Sequence, residues 1–135
     1  MRPLERVPAV RRIDTDREDA FAVEITGEFY AADAENLFGL LEGAFAVHER
    51  VDLLVRLTGI EEIDLSELSG ETSTMMKQEV AKHVARCAVI GDGAWSSRVT
   101  RLFEPSSGTE SRHFEPEREQ EAWEWISARE IEDNI

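Results

Sequence analysis

Phe21, Val23 and Ile25 alternate with polar or small neighbours from Ala20 to Tyr30, the period-two pattern of a strand with two unlike faces. The turn-prone DTDRED stretch separates this run from Val7 to Ile13, and the two predict an amino-terminal hairpin. From Ala31 to Glu49 the period changes. Leu37, Leu41, Ala44, Phe45 and His48 recur at helical spacing and Asp33 can cap the start, so a first helix is expected. Val51 to Leu57 and Cys87 to Ile90 are apolar runs too short for helices and suited to strands buried on both faces. Between them Met76, Val80, Val84 and Cys87 mark a second amphipathic helix, with Lys77 and Lys82 on its outer face.

Trp95, Val99, Leu102 and Phe103 predict a third helix after a GDG turn, Pro105 to Gly108 reads as a loop, and Ser111 to Glu115 as a last strand. Pro116, followed by Glu117 and Glu119, opens a terminal helix whose acidic first turn suits the helix dipole. Ala122, Trp125 and Ile126 form its expected buried stripe, with Trp123 at the edge. Trp123 and Trp125 are separated by about 160° around the axis, so one ring is expected to be partly exposed. Packing under the hairpin is the plain reading of this helix, and a homodimer contact or a wet groove is the functional alternative. The order β-β-α-β-α-β-α-β-α implies an α/β fold: a mixed, mainly parallel five-stranded sheet flanked by about four helices. No repeat or long linker interrupts residues 1–135, which read as a single domain.

Charge changes the picture more than length does. Lys and Arg number 15 against 29 Asp and Glu, a net charge of −14, which disfavours phosphate backbones and anionic bilayers, so no nucleic-acid partner is expected. The segment from Lys77 to Arg101 is a local positive island, where Lys77, Lys82, Arg86, Arg98 and Arg101 face only Glu79 and Asp92. An anion can be drawn there, and the plain alternative is that these cations balance neighbouring carboxylates. Cys87 is the only cysteine, which excludes an intrachain disulfide and fits a reducing compartment. No window approaches a membrane span of about 20 apolar residues, and the chain is read as cytoplasmic.

The segment RCAVIGDGAW (Arg86 to Trp95), the HFE of His113 to Glu115 and the terminal EAWEWI (Glu121 to Ile126) resemble SpoIIAA-like proteins. The resemblance is strongest over residues 82–126 and extends to VEITGEFYAAD (Val23 to Asp33). It implies a fold shared with STAS domains and similar to lipid-binding CRAL-TRIO domains, and a small cytoplasmic protein that often self-associates. It also implies association with a lipid-like ligand or with membranes.

Three local patterns carry candidate chemistry. Gly91, Asp92 and Gly93 lie where a strand should end and a helix begin, a place where backbone N–H groups can hold an anion. Asp92 would put a negative charge there, and its competing role is a helix cap. Leu65, Leu68, Met75 and Met76 flank a polar turn; deformable Met side chains suit a surface that opens for an acyl chain, with Lys77, Lys82 or His83 meeting an acidic head group. The same turn, IDLSELSGE, echoes the Asp-Ser-Ser-Gly phosphorylation motif of STAS proteins that antagonise anti-sigma factors. Ser69, with Ser66 beside it, is the matching serine, but the contiguous motif is absent and Arg56 stands where an Asp is usual. His48, His83 and His113 lie on separate elements without metal-ligand spacing, and no nucleophile elbow or P-loop is present, so neither catalysis nor a metal or other cofactor is expected. The sequence therefore points to a noncatalytic binding or regulatory module for a lipid-like ligand or a transient membrane contact, with a STAS-type phosphoregulated interaction domain as the alternative.

Overall fold

The computed structural model describes residues 9–102 and 109–131. In chain order these form β1 (Val10–Ile13), β2 (Ala20–Tyr30), α1 (Ala31–Val47), β3 (Val51–Asp64), α2 (Gly70–His83), β4 (Val84–Ile90), α3 (Gly93–Leu102), β5 (Glu110–Phe114), a short 3-10 turn (Pro116–Arg118) and α4 (Glu119–Trp125). The sheet order is β1-β2-β3-β4-β5, with β1 antiparallel to β2 and every later pair parallel. Because the order advances in one direction, right-handed crossovers place α1, α2 and α3 on the same face. The expected α/β architecture is the observed one.

Alternation sorts the side chains between the two faces. Phe21, Val23, Ile25, Leu53, Val55 and Val89 pack against Leu37, Leu41, Met76, Val80 and Val99 beneath the three helices. Ala22, Leu54, Ala88 and Ile90 point the other way and meet Ile13, Phe114, Ala122, Trp123 and Ile126 under α4. Asp33 caps α1 from inside the helix, its Oδ2 accepting from the Tyr30 amide at 2.8 Å.

Several boundaries differ from the sequence pattern for definable reasons. Val84 and Cys87 belong to β4 rather than to α2, which ends at His83. An extra residue, Ala85, bulges the β3–β4 register between Val84 and Arg86, so residues three apart share one face as they would on a helix. β3 runs seven residues past the expected end, to Asp64, crossing Gly59 at φ 57° while β2 shifts register at Gly27, φ 69°. Glycine supplies the left-handed backbone that those irregularities require. Trp123, not Trp125, is the buried tryptophan of α4: it is 6% exposed and its Nε1 donates to Glu119 Oε2 at 3.1 Å. Trp125 is half-buried, beneath the guanidinium groups of Arg86 and Arg112. The expected strand start at Val7, Phe103 and the Pro105 to Gly108 loop lie outside the described residues.

Two arginines tie α4 and the chain after it to the sheet. Arg86 grips buried Asp52 through two nitrogens, 2.9 and 3.2 Å, and donates to the Trp125 carbonyl. Its bond to Asp52 holds the guanidinium in its charged form more firmly than usual. Arg56 reaches Glu24 at 3.0 Å, Glu119 at 2.7 Å and Glu130 at 3.0 Å. Burial opposes its charge, yet bonds to Glu130 and Glu119 push its pKa upward. Arg56 is therefore one of the fastening points of the terminal helix.

Candidate functional site

β3 delivers Ile63 to the carboxyl end of the parallel sheet, the end at which open α/β sheets hold ligands. The turn that follows is built by local bonds. The Leu68 amide donates to the Leu65 carbonyl at 3.0 Å, and Asp64 Oδ1 accepts from the Ser66 amide at 3.0 Å. Bonds from the hydroxyl and the amide of Ser66 hold the Asp64 carboxyl below its ordinary value. Ser69 then caps α2, its Oγ accepting from the Thr72 amide at 3.0 Å while its hydroxyl donates to Thr72 Oγ1 at 2.9 Å. The turn leaves Leu65 and Leu68 half-buried against the edge of the main core.

α2 and α3 complete a groove around these residues. Ser73 and Lys77, one turn apart on α2, and Arg98 and Arg101, three apart on α3, line a cavity of about 440 Å³ with Ile63, Leu65 and Leu68. One wall is aliphatic and the rim carries three cations on two helices. Arg98 is fixed in place: its Nη1 donates to the Ile63 carbonyl at 3.2 Å, and its guanidinium lies 5.3 Å from the centre of the Trp95 ring. On a protein of charge −14 this is a concentrated exception to the acidic surface.

The structure thus gathers Leu65, Leu68 and Lys77 as the sequence pattern proposed, and separates the other four residues of that group from them. Met76 is fully buried in the main core. Met75 is 45% exposed and lies about 160–200° around α2 from Ser73 and Lys77, so it faces away from the groove. Lys82 pairs with Glu79 at 3.6 Å. His83 stacks on Phe45, ring centres 4.6 Å apart, its Nδ1 donates to the Glu49 carbonyl at 2.9 Å, and its Nε2 lies 3.4 Å from Glu79, the carboxylate that Lys82 also meets. Of the positive island, Lys77, Arg98 and Arg101 meet at the groove; Arg86 lies against Asp52 and Lys82 against Glu79, both away from it.

The groove residues that sequence reasoning missed are Ile63, Ser73 and the joint placement of Arg98 and Arg101. The two arginines had a signal, their charge and three-residue spacing, but nothing local linked α3 to the turn after β3. The GDG turn takes its plain role. Asp92 Oδ1 accepts from the Ala94 amide at 3.0 Å, and its carbonyl accepts from the amides of Trp95 and Ser96. Gly91 is required by contact, since a Cβ there would stand 2.9 Å from Leu57 Cβ. Gly93 follows at the start of α3, and His113 Nε2 donates to the Gly91 carbonyl at 2.7 Å.

A second cavity, of about 580 Å³, lies beside α4 and includes Asp16, Glu119, Trp123, Glu124, Arg129 and Glu130 in its lining. Three of its four carboxylates already serve the fold. Arg56 holds Glu119 and Glu130, and Asp16 Oδ1 accepts from the Arg129 amide at 2.8 Å. Cys87 is buried, and burial pushes its thiol up to about 12, far from a reactive thiolate. Among the described residues no three His, Cys, Asp or Glu side chains converge as a metal site, and no helix is long and apolar enough to cross a membrane.

Comparison with known proteins adds the family. A search among curated proteins finds no match. Among solved structures the chain is similar to an uncharacterized protein of the DUF3478 family, with a SpoIIAA-like fold, from Shewanella loihica PV-4. The two share 23% identity over 91% of this chain and 98% of the other, with a TM-score of 0.62. The SpoIIAA-like family model matches residues 20–127, which spans β2 to the end of α4 and includes the whole groove. With four-fifths of its length matched and the strand order agreeing, the chain belongs to the SpoIIAA-like family.

Proposed function

We propose that this protein is a noncatalytic binding module whose groove at the carboxyl end of β3 takes a small anionic amphiphile. The SpoIIAA-like fold supports the regulatory, non-enzymatic part of this reading. The observation that carries the ligand part is the groove itself, with Lys77, Arg98 and Arg101 on the rim and Ile63, Leu65 and Leu68 on the wall. Its cations supply charge-assisted bonds to the head group and its aliphatic wall shields the tail. The overall negative charge confines any membrane contact to this one patch, because the rest of the surface is repelled by anionic lipid.

Calorimetric titration with hexanoate, hexyl sulfate and hexyl phosphate, beside hexanol and hexyltrimethylammonium, tests the reading. Saturable one-to-one binding of anionic members only is expected, lost when Lys77 and Arg101 are both changed to Gln. Failure of all three anions to bind removes the proposal.

Ser69 supports a second reading as a phosphoregulated interaction domain. It is the exposed N-cap of α2, where a phosphate would favour the helix dipole while meeting repulsion from Glu67 and Glu71. Mass spectrometry of protein incubated with cell-extract kinases tests this, and an unmodified Ser69 counts against it.

A further inference from the structure

Resting on the reading of the groove as an anion site, we infer that its ligand class is a phosphate monoester bearing a short apolar chain. The phosphate sits between Lys77 of α2 and Arg98 and Arg101 of α3, and the chain lies along Ile63, Leu65 and Leu68. The head group follows from charge and shape. A carboxylate or a sulfate monoester brings one negative charge to a rim of three cations, whereas a phosphate monoester above its second ionisation, about pH 6, brings two negative charges and three acceptor oxygens. Arg98 is arranged for that geometry. A guanidinium has five donors in one plane, and the bond from Nη1 to the Ile63 carbonyl, with Trp95 against the group, fixes that plane and leaves most of the fork for an oxyanion. Ser73, one turn from Lys77 on α2, adds a hydroxyl to the lining.

The chain length follows from the wall. At about 440 Å³ the cavity falls near the small end of ligand sites, and three aliphatic side chains cover only a few methylenes. A long acyl chain would run out into solvent. The shared chemistry fits two sources, a soluble phosphate ester and the head group of a phosphatidate-like lipid, and the experiment separates them.

The test is a competition series on the full chain above the second ionisation of the ester. Hexyl phosphate is expected to bind at least about tenfold more tightly than hexyl sulfate or hexanoate, and about fourfold more tightly for each methylene added from inorganic phosphate upward until the wall is covered. Arg101→Gln, at an exposed position, cuts the preference for phosphate over sulfate to about threefold or less, and Lys82→Gln, outside the groove, leaves it unchanged. Equal affinity for the three hexyl anions overturns the phosphate assignment while leaving the groove an anion site; no binding by any anion overturns that underlying reading as well. Inorganic phosphate binding as tightly as hexyl phosphate overturns the apolar-chain half. Co-sedimentation with phosphatidylcholine vesicles doped with phosphatidic acid, displaced by hexyl phosphate, supports the phosphate assignment with a lipid source. Hexyl phosphate binding without co-sedimentation supports it with a soluble source.

Discussion

Arg98 donates through Nη1 to the carbonyl of Ile63 at 3.2 Å, a bond that fastens α3 to the end of β3 and aims a guanidinium along the groove between them. One side chain thereby performs two tasks. It satisfies a strand-end carbonyl that β4 does not reach, since β4 pairs with β3 only as far as Arg56, and it fixes one of the three rim cations beside Ile63. Arg98→Ala is expected to weaken hexyl phosphate binding at least about tenfold and to cost about 0.5–1.5 kcal/mol of stability. Arg98→Lys keeps the charge without the planar fork and recovers only part of the affinity. Titration calorimetry and urea unfolding of the two variants check this.

Gly91→Ala is expected to destabilise the protein by about 1–3 kcal/mol, because the new Cβ meets Leu57 Cβ at 2.9 Å and neither group is the movable end of a side chain. Gly39→Ala is the matched opposite. Gly39 is exposed within α1, and a Cβ added there would meet nothing within 4 Å, so replacing it adds about 0.5–1 kcal/mol of stability. Chemical denaturation of both variants against the parent measures the pair.

Met76→Ala should cost about 2–5 kcal/mol through the cavity it leaves in the main core. Met75→Ala, at an exposed site, should stay within about 0.5 kcal/mol of the parent. Neither thioether lines the groove, so Met75→Ala keeps full affinity for hexyl phosphate. A loss of affinity in that variant would show that the methionine gates the site after all.

Acid sensitivity has a specific source on the α4 face. Burial raises the Glu24 carboxyl, but bonds from Arg11, Thr58 and Arg56 outweigh it and hold the group below its ordinary value of 4.5. A carboxyl lowered in the folded state adds stability that is fully present above that ordinary value and is lost as pH falls through the folded one. Melting temperatures between about pH 5 and pH 3 are therefore expected to fall less steeply for Glu24→Gln than for the parent. Parallel slopes for the two proteins would contradict this assignment.

Much of the fold was legible because alternation and helical spacing are set by burial along single elements. Phe21, Val23 and Ile25 gave β2, and Leu37, Leu41 and Phe45 gave α1, since each element buries its own stripe. The errors arose where two periods give the same pattern or where polarity hides a strand. Val84 and Cys87 mimic a helix through a bulge. Glu61 and Glu62 fell outside the expected strand, which ended at Leu57, because the upper part of β3 is polar and exposed to solvent. The site was half legible for a related reason. Leu65, Leu68 and Lys77 stand within two adjacent elements, but Arg98 and Arg101 arrive from α3 through tertiary packing that no local spacing encodes. Lys82 and His83 were misplaced because nearness in sequence to Lys77 is not nearness in space: about five residues turn a helix by roughly 140° beyond a full turn, and Phe45 captures the imidazole.

The most direct measurement is amide chemical-shift mapping by NMR as hexyl phosphate is titrated into the protein. The account predicts saturating shifts confined to residues 63–77 and 95–101 around the groove, with the second cavity at residues 119–130 unmoved. Shifts centred on that second cavity, or none in the groove at saturating ligand, would contradict it.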